Sequence, residues 1–316
     1  MNAVLCLTTI LIHLSNSYYS DEANTYGYRR QFKNSSEVIS NFNETVFLKL
    51  LNYEEGSDRV TEDKYRWIAK VIHSRTELFP YACTASCIDK EIFITAGRCV
   101  VELIVQYTSI YYNQQQLPAK AFVLPTNESK HGIDDIGFII VHKEFKGTWY
   151  TIGLYDEERP DDRFRWFVTM NFTETYKVIG YASESFLKEL RNATTEYFLA
   201  ELPIQFDVNL CKSTYSMVGF RVPCFHACNL FEFLDEDPKC EKTLAVEGAA
   251  VINVDTNKLF GVATWGASYK LDFLPIGFSV ANSENFFSDL ECAKKIRNDV
   301  NENVSKGFYQ KLCDEK

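Results

Sequence analysis

The chain has 316 residues, of which 46% are apolar and 15% aromatic, so it can bury a substantial core in one large domain or two small ones. Its formal net charge is −10, and no basic stripe runs along it. This charge balance argues against nucleic acid and anionic membrane surfaces as partners.

The first residues have the pattern of a secretory signal. A short apolar run over 3–14 is followed by the small residues Ser15 and Ser17, and the run is too short to span a bilayer. We therefore expect a signal peptide over 1–17 and a secreted, extracellular protein. No later stretch of the sequence is long and apolar enough to predict a transmembrane helix.

Sequons and cysteines also indicate export. Ten cysteines are present, and nine remain if Cys6 leaves with the signal. In an oxidising compartment most of them should form disulfides, and the odd count leaves one thiol free or available for an intermolecular bridge. Glycosylation on the surface is predicted at six Asn-X-Ser/Thr triplets. They begin at Asn34, Asn43, Asn127, Asn171, Asn192 and Asn303.

Along the chain, a polar, cysteine-free segment over 18–58 is predicted to be an N-terminal extension with some helix over 44–51. From about Arg59, short runs rich in Val, Ile, Phe, Tyr and Thr alternate with polar turns, which predicts strands and an all-β barrel or sandwich. After Asn282 apolar residues recur at helical spacing, which predicts a C-terminal helix. The predicted strands are 67–73, 92–95, 101–107, 136–141, 176–181 and 259–264.

The segment over 83–99 carries the first family resemblance. It has a cysteine at each end, a strand-like run between them, and the motif Thr95-Ala-Gly-Arg98-Cys99. It resembles the trypsin/chymotrypsin-like (S1) serine proteases, in which Thr-Ala-Ala-His-Cys lies at this distance from a preceding cysteine. In this resemblance Arg98 stands at the position of the catalytic histidine.

Further landmarks follow in family order over about 60–295. The run Asp134-Asp135-Ile-Gly-Phe-Ile is similar to the family's Asp-Ile-Ala-Leu-Leu and puts Asp135 at the triad aspartate. The run over 179–182 resembles the strand that opens the second barrel. The segment 245–252 stands where the family has Gly-Asp-Ser-Gly-Gly-Pro-Leu-Val, so Glu247 takes the position of the nucleophilic serine. Thr264-Trp-Gly then follows like the family's Ser-Trp-Gly.

The resemblance implies an all-β fold of two six-stranded antiparallel β-barrels (trypsin-like) with a C-terminal helix. The implied organisation is a signal peptide over 1–17, an N-terminal extension over 18–58, an inactive S1-like peptidase domain over 59–296 and a C-terminal tail over 297–316.

The substitutions at the triad positions remove the chemistry of acyl transfer, which needs a hydroxyl nucleophile, an imidazole base and a carboxylate that orients the base. Arg98 cannot act as the base, because a guanidinium stays protonated and has no acceptor. Glu247 offers a carboxylate, which is a poor nucleophile toward an amide. Only Asp135 matches the family. We therefore expect a protein that is not an enzyme and has no cofactor.

The turn that would form the oxyanion hole also departs from the family. It begins at Ala245 instead of glycine, and Val246 replaces the acid that receives the new N-terminus on activation. Family geometry would place the Arg98 guanidinium between Asp135 and Glu247, which predicts a structural ion-pair cluster in place of the triad. His131 is interpreted as a loop residue rather than a displaced base.

The resemblance further implies cysteine pairings. Cys83 and Cys99 are expected to form a disulfide, and Cys211 is expected to pair with Cys224 or Cys228. The spacing of Cys224, His226 and Cys228 could suit zinc, but a secreted context favours disulfides, so no metal is expected. Four cysteines keep an open assignment: Cys87, Cys240, Cys292 and Cys313.

Inactive homologues of this family are abundant in insects, where relatives act in immune protease cascades or as seminal and reproductive-tract proteins. The resemblance implies a protein that binds an extracellular protein or peptide, such as an active protease or its substrate, for which the strand ending at Thr264 could pair with an extended peptide. The sequence shows no cysteine-knotted module of the clip type before the domain, which favours a reproductive role over a role in an immune cascade. Two alternatives stay open: an active hydrolase using other residues, and a structural glycoprotein crosslinked through its odd cysteine.

Overall fold

The computed structural model describes residues 52–74, 81–101, 103–125, 135–143, 145–155, 175–183, 196–204, 224–225, 243–265 and 276–299. The predicted signal peptide and the predicted helix over 44–51 lie outside these ranges. So do the following predicted residues: Asn34, Asn43, Asn127, His131, Asn171, Asn192, Cys211, His226, Cys228, Cys240, Asn303 and Cys313.

The described residues are mainly β-strand. The strands are β1 (Tyr53–Glu55), β2 (Asp58–Arg59), β3 (Ile68–His73), β4 (Tyr81–Asp89), β5 (Ile92–Ala96), β6 (Thr108–Tyr112), β7 (Gln115–Val123), β8 (Ile136–Val141), β9 (Tyr176–Ala182), β10 (Phe198–Ile204), β11 (Cys224–Phe225), β12 (Thr243–Ala245), β13 (Ala250–Asn253), β14 (Lys258–Trp265) and β15 (Ile276–Val280). The α-helices are α1 (Gly97–Val101) and α2 (Glu284–Asn298), and short 3₁₀ turns cover Glu62–Tyr65 and Val105–Tyr107.

Six strands of the first half form a closed antiparallel barrel in the order β3-β4-β5-β8-β7-β6. All six residues of β8 are buried, because one face of the strand lines the barrel core and α2 packs over the barrel from outside. The ring of Phe286 in α2 lies 5.6 Å from that of Phe138 in β8. This burial on two sides explains why β8 is a continuous apolar run rather than an alternating one.

The second half forms a sheet in the order β11-β15-β14-β13-β9-β10-β2, and its pairings are antiparallel. A separate two-stranded ladder joins β1 to β12. In the described part of the chain only the first of the two predicted barrels is closed. The second has a separate apolar core between its strands, including Phe260 and Phe278. The predicted all-β class with a terminal helix is confirmed.

One predicted strand is wrong. Within the predicted strand 101–107, Val101 ends α1 and Val105–Tyr107 form a 3₁₀ turn, and the strand β6 begins only at Thr108. Two tertiary contacts fix a helical turn here: Cys99 is tied to β4 by a disulfide, and the Arg98 N–H donates to Asp135 Oδ1. A short apolar run does not reveal such long-range contacts through its own periodicity.

Residues 52–58, which the sequence places in the N-terminal extension, are part of the fold. Strand β1 pairs with β12, and β2 pairs with β10 at the edge of the second sheet. The Val60 N–H continues this pairing by donating to the Leu199 carbonyl at 2.9 Å. The described chain thus first pairs with strands of the second half and only then forms the strands of the first barrel.

Each end of the described chain packs against the half that the other end of the chain belongs to in sequence, so the chain ends are exchanged between the halves. The N-terminal strand β2 completes the sheet of the second half, whereas the C-terminal helix α2 packs on β7 and β8 of the first barrel. Lys120 of β7 anchors the end of α2, where its ammonium donates to the carbonyls of Ile296 and Asp299 at 3.1 and 2.6 Å. A cation at a helix C-terminus is favourable because the helix dipole is negative there.

Neither α1 nor α2 is long and apolar enough to cross a membrane, and the same holds for the other helical turns in the described ranges.

Candidate functional site at the junction of the two halves

Arg98 and Asp135 are brought together where β5 ends in α1 and the chain approaches β8. The Arg98 Nε donates to Asp135 Oδ2 at 2.7 Å, and the Arg98 backbone N–H donates to Asp135 Oδ1 at 3.0 Å. The side chains are 20% and 11% exposed, so solvent screens this pair only in part. The Asp135 N–H in turn donates to Ser279 Oγ of β15 at 3.0 Å, which ties the pair to the second half.

Gly97 allows this close approach. A Cβ at this position would lie 2.6 Å from Asp135 Oδ1 and 2.7 Å from Pro125 Cγ. Any other residue would push the carboxylate away from α1, so glycine at this position has a local steric reason. The backbone is fixed as well, because the Gly97 N–H donates to the Asp135 carbonyl at 2.9 Å.

Glu247 lies in the turn between β12 and β13, and it is 0% exposed. Its carbonyl accepts from the Thr84 N–H at 3.0 Å, and its own N–H donates to Asn52 Oδ1 at 3.0 Å. The turn is therefore held by β4 of the first barrel on one side and by the segment before β1 on the other. Glu247 is thus placed at the junction of the two halves.

The residue after Glu247 must be glycine in this backbone. Gly248 has φ +77°, and a Cβ there would lie 2.0 Å from the Thr84 carbonyl oxygen and 2.4 Å from Thr95 Oγ1. The left-handed backbone and the lack of space each exclude a larger residue. The Gly248 N–H donates to the Ala263 carbonyl at 2.9 Å, so the turn packs against β14 as well as β4.

The predicted cluster of Arg98 with two carboxylates is realised for Asp135. The ion pairs of the described residues do not include one between Arg98 and Glu247. The positions of the side chains give the reason: the Arg98 side chain is 20% exposed, whereas Glu247 is drawn entirely into the interior by a turn anchored at its N–H and its carbonyl.

The state of four cysteines is established among the described residues. Cys83 of β4 and Cys99 of α1 form a disulfide, as expected, and it holds α1 against the barrel. Cys87 is a buried free thiol whose Sγ donates to the Asp89 carbonyl at 3.3 Å, and burial raises the pKa of this thiol. Cys292 of α2 is disulfide-bonded. Cys224 lies in β11, opposite Gly277 of β15.

A second charged cluster fastens the N-terminal segment to the second half. The Glu201 carboxylate of β10 accepts hydrogen bonds from the Tyr65 hydroxyl, from Lys64 Nζ at 2.9 Å and from Lys177 Nζ at 3.4 Å. Burial alone would raise the pKa of Glu201, but the hydrogen bonds of Tyr65 and Lys64 and the charge of Lys177 outweigh it, so the pKa lies below its ordinary value.

The sequence gives no signal for several residues of this site. Asn52 lies 195 positions before the residue whose N–H it binds, and Ser279 lies 144 positions after Asp135. Both contacts come from the meeting of distant strands, and no local motif links either residue to its partner. A family alignment would be needed to find them, because the hydrogen-bonding residue types Asn and Ser occur throughout the chain.

No family model matches the sequence, and no curated protein matches it. Solved structures do match. The inactivated protease paralogue S-D1 of the scabies mite is 16% identical with a TM-score of 0.55, covering 77% of this chain and 98% of that chain. Neuropsin, a serine protease of mouse brain, is 11% identical with a TM-score of 0.51, covering 75% of this chain and 99% of its own.

A third structure, HL collagenase, is 15% identical with a TM-score of 0.53, and the match covers 76% of this chain and 98% of the collagenase. Identities this low concern the fold, and fold alone does not carry function. The observed strand order and these matches lead to one conclusion: the chain has the fold of the trypsin-like serine proteases, which it shares with at least one inactivated protease.

Proposed function

We propose that the protein is a secreted, non-catalytic serine protease homologue that acts by binding an extracellular protein or peptide. Its role would be that of a regulator or cofactor in a process such as reproduction or an immune protease cascade. The partner would be an active protease or the substrate of one.

The ion pair of Arg98 with Asp135 is the observation that carries this proposal. In an active relative the carboxylate orients a neutral imidazole, which then removes a proton from the nucleophile. Here the carboxylate accepts from a guanidinium Nε at 2.7 Å, and a guanidinium has no lone pair with which to take a proton. Asp135 is thus ion-paired with a group that cannot act as a general base.

The burial of Glu247 supports the same reading. A nucleophile must reach the carbonyl carbon of a substrate, yet the Glu247 side chain is 0% exposed. A carboxylate is in addition a poor nucleophile toward an amide, because the tetrahedral adduct expels the carboxylate more readily than the amine. The S-D1 neighbour is described as inactivated, so this fold is known to persist without proteolysis.

Catalysis can be tested directly with a serine-directed fluorophosphonate and a panel of fluorogenic peptides. The wild-type protein and an Arg98→His, Glu247→Ser double variant would be compared with an active trypsin-like protease as the positive control for the probe. We expect no adduct and no turnover from wild type. A stoichiometric adduct on one serine that survives repurification would refute the non-catalytic assignment and support the alternative hydrolase.

Regulation can be tested by adding the purified protein to active trypsin-like proteases acting on protein substrates. We expect saturable binding to a protease or its substrate, together with a changed rate of cleavage that Arg98→Met leaves intact. The absence of binding and of any rate effect across the panel would contradict the regulatory role. Disulfide-linked oligomers on non-reducing electrophoresis would instead favour the structural glycoprotein, although buried Cys87 is poorly placed to form the crosslink.

A further inference from the structure

Residues 52–55 lie between β12 and Ser183 of the second half, a position called the groove below, and their backbone is paired along both edges. On one edge β1 pairs with β12, with Tyr53 opposite Ala245. On the other edge the Asn52 carbonyl accepts from the Ser183 N–H at 2.8 Å, and the Glu54 N–H donates to the Ser183 carbonyl at 3.1 Å. The segment therefore adds a short strand between two parts of the chain, as a bound peptide would.

Asn52 is a buried residue of this segment, and it is 7% exposed. Its Oδ1 accepts from the Glu247 N–H at 3.0 Å, and its Nδ2 donates to the Ala82 carbonyl of β4 at 3.2 Å. Its φ is 54°, in the left-handed region that asparagine tolerates better than most residues. One side chain thus satisfies a donor and an acceptor on different elements, because its amide carries both an acceptor oxygen and a donor nitrogen.

The segment is also held from its C-terminal side. The buried Glu54 carboxylate accepts from the Ser57 N–H at 3.0 Å and from Ser57 Oγ at 2.7 Å. Gly56 between them has φ 64°, so a tight turn closes the segment before β2. These contacts fix residues 52–55 in place through backbone, side-chain and turn geometry together.

In active proteases of this fold, the N–H of the nucleophile and the N–H two residues before it bind the substrate carbonyl as its oxyanion forms. With Glu247 at the nucleophile position, these residues are Glu247 and Ala245. The Glu247 N–H donates to Asn52, and Ala245 is paired with Tyr53.

We propose that residues 52–55 are a built-in peptide ligand that closes the carbonyl-binding side of the cleft. This inference rests on the proposed function, in which Glu247 occupies the position of the nucleophile. Partners of the intact protein therefore bind outside this groove, and an extended peptide enters it only when residues 52–55 leave.

Hydrogen exchange of the wild-type protein tests the occupancy without any variant. We expect the Glu247 amide to be as protected as that of Val251 in β13, because its N–H is in a buried hydrogen bond. Exchange of the Glu247 amide at the rate of an exposed turn amide, such as that of Asn257, would overturn the proposal. This arm remains decisive even if a variant fails to fold.

The Asn52→Ala variant tests the side chain. We expect exchange at the Glu247 amide to rise about fivefold or more relative to that at Val251, which is the factor for loss of a typical hydrogen bond. Asn257→Ala is the matched control. Asn257 is exposed and has φ 52°, so this variant also removes an asparagine with a left-handed backbone, but one that makes no contact in the groove. The absence of a selective rise at Glu247 in Asn52→Ala would count against the proposal.

Peptide binding tests the closure. The probe is a fluorescent peptide of residues 50–57, Leu-Leu-Asn-Tyr-Glu-Glu-Gly-Ser. We expect no binding to wild type or to Asn257→Ala, and saturable binding to an Asn52→Ala, Glu54→Pro variant, whose own segment loses the Asn52 side-chain bonds and the Glu54 N–H. Equal binding to wild type and the double variant would refute a filled groove.

The two proposals fail separately. A fluorophosphonate adduct on wild type would overturn the non-catalytic assignment whatever the Glu247 amide does. A silent probe with a rapidly exchanging Glu247 amide would overturn only the built-in ligand.

Discussion

The Arg98–Asp135 pair should show a measurable coupling energy. The perturbations are Arg98→Met, which keeps the length of the side chain, and Asp135→Asn, which keeps an oxygen to accept the Arg98 backbone N–H. The four proteins of the double-mutant cycle would be unfolded in urea and followed by tryptophan fluorescence, with the disulfides intact. The cycle isolates the energy that the two side chains contribute together.

The magnitude follows from the geometry. With the charge centres about 4 Å apart and an effective dielectric of about 20, the attraction is about 4 kcal/mol. Exposures of 20% and 11% mean that both groups lose hydration on folding, which we expect to offset about half of it. The expected coupling is about 2 kcal/mol, and Arg98→Met alone should destabilise more than the double variant, because it leaves Asp135 charged and largely buried.

A coupling below about 0.5 kcal/mol, the range of exposed ion pairs, would refute this reasoning. It would mean that Arg98 is not held against Asp135 in solution, and the main support for the non-catalytic assignment would fall with it. Repeating the cycle in 1 M salt provides a control, since a partly buried pair should keep most of its coupling when exposed pairs lose theirs.

Three further outcomes are expected. Gly248→Ala should destabilise the fold by at least about 3 kcal/mol in urea, because its Cβ meets Thr84 in a left-handed backbone, whereas Gly153→Ala, with nothing within 4 Å, should be nearly neutral. The pKa of Glu201 is lowered in the fold, so its stabilisation is lost as pH falls below about 4; Glu201→Gln should therefore lose less stability than wild type between pH 7 and pH 3. Because burial raises the pKa of Cys87, iodoacetamide at pH 8 should label it only after unfolding; rapid labelling of the folded protein would contradict its burial.

Local patterns predicted three of the six strands of the first barrel. Strands β3, β5 and β8 were predictable because each is a short β-branched run bounded by turns, and the Cys83–Cys99 disulfide followed from family spacing. The region over 101–107 was mispredicted, since contacts of α1 with distant residues, rather than its own pattern, decide its conformation.

The site was predictable in its residues and less so in its geometry. Motif order indicated Arg98, Asp135 and Glu247, and the structure pairs the first two. The direction of Glu247 depends on hydrogen bonds to Asn52 and Thr84, which no motif links to it. Residues 52–58 were assigned to an extension because they are polar and lack cysteine; their order comes from backbone pairing, which composition does not report.

The exchange of chain ends between the halves has a consequence for how the protein can come apart. A fragment ending at Tyr155 would carry β2 without β10, its partner, and a fragment beginning at Thr175 would carry α2 without the barrel surface that covers it. Each fragment would expose apolar surface that only the other can bury. Because each half buries apolar surface of the other, the two fragments produced by a single backbone cut between the halves should stay associated. The cut protein should then unfold in a single cooperative transition.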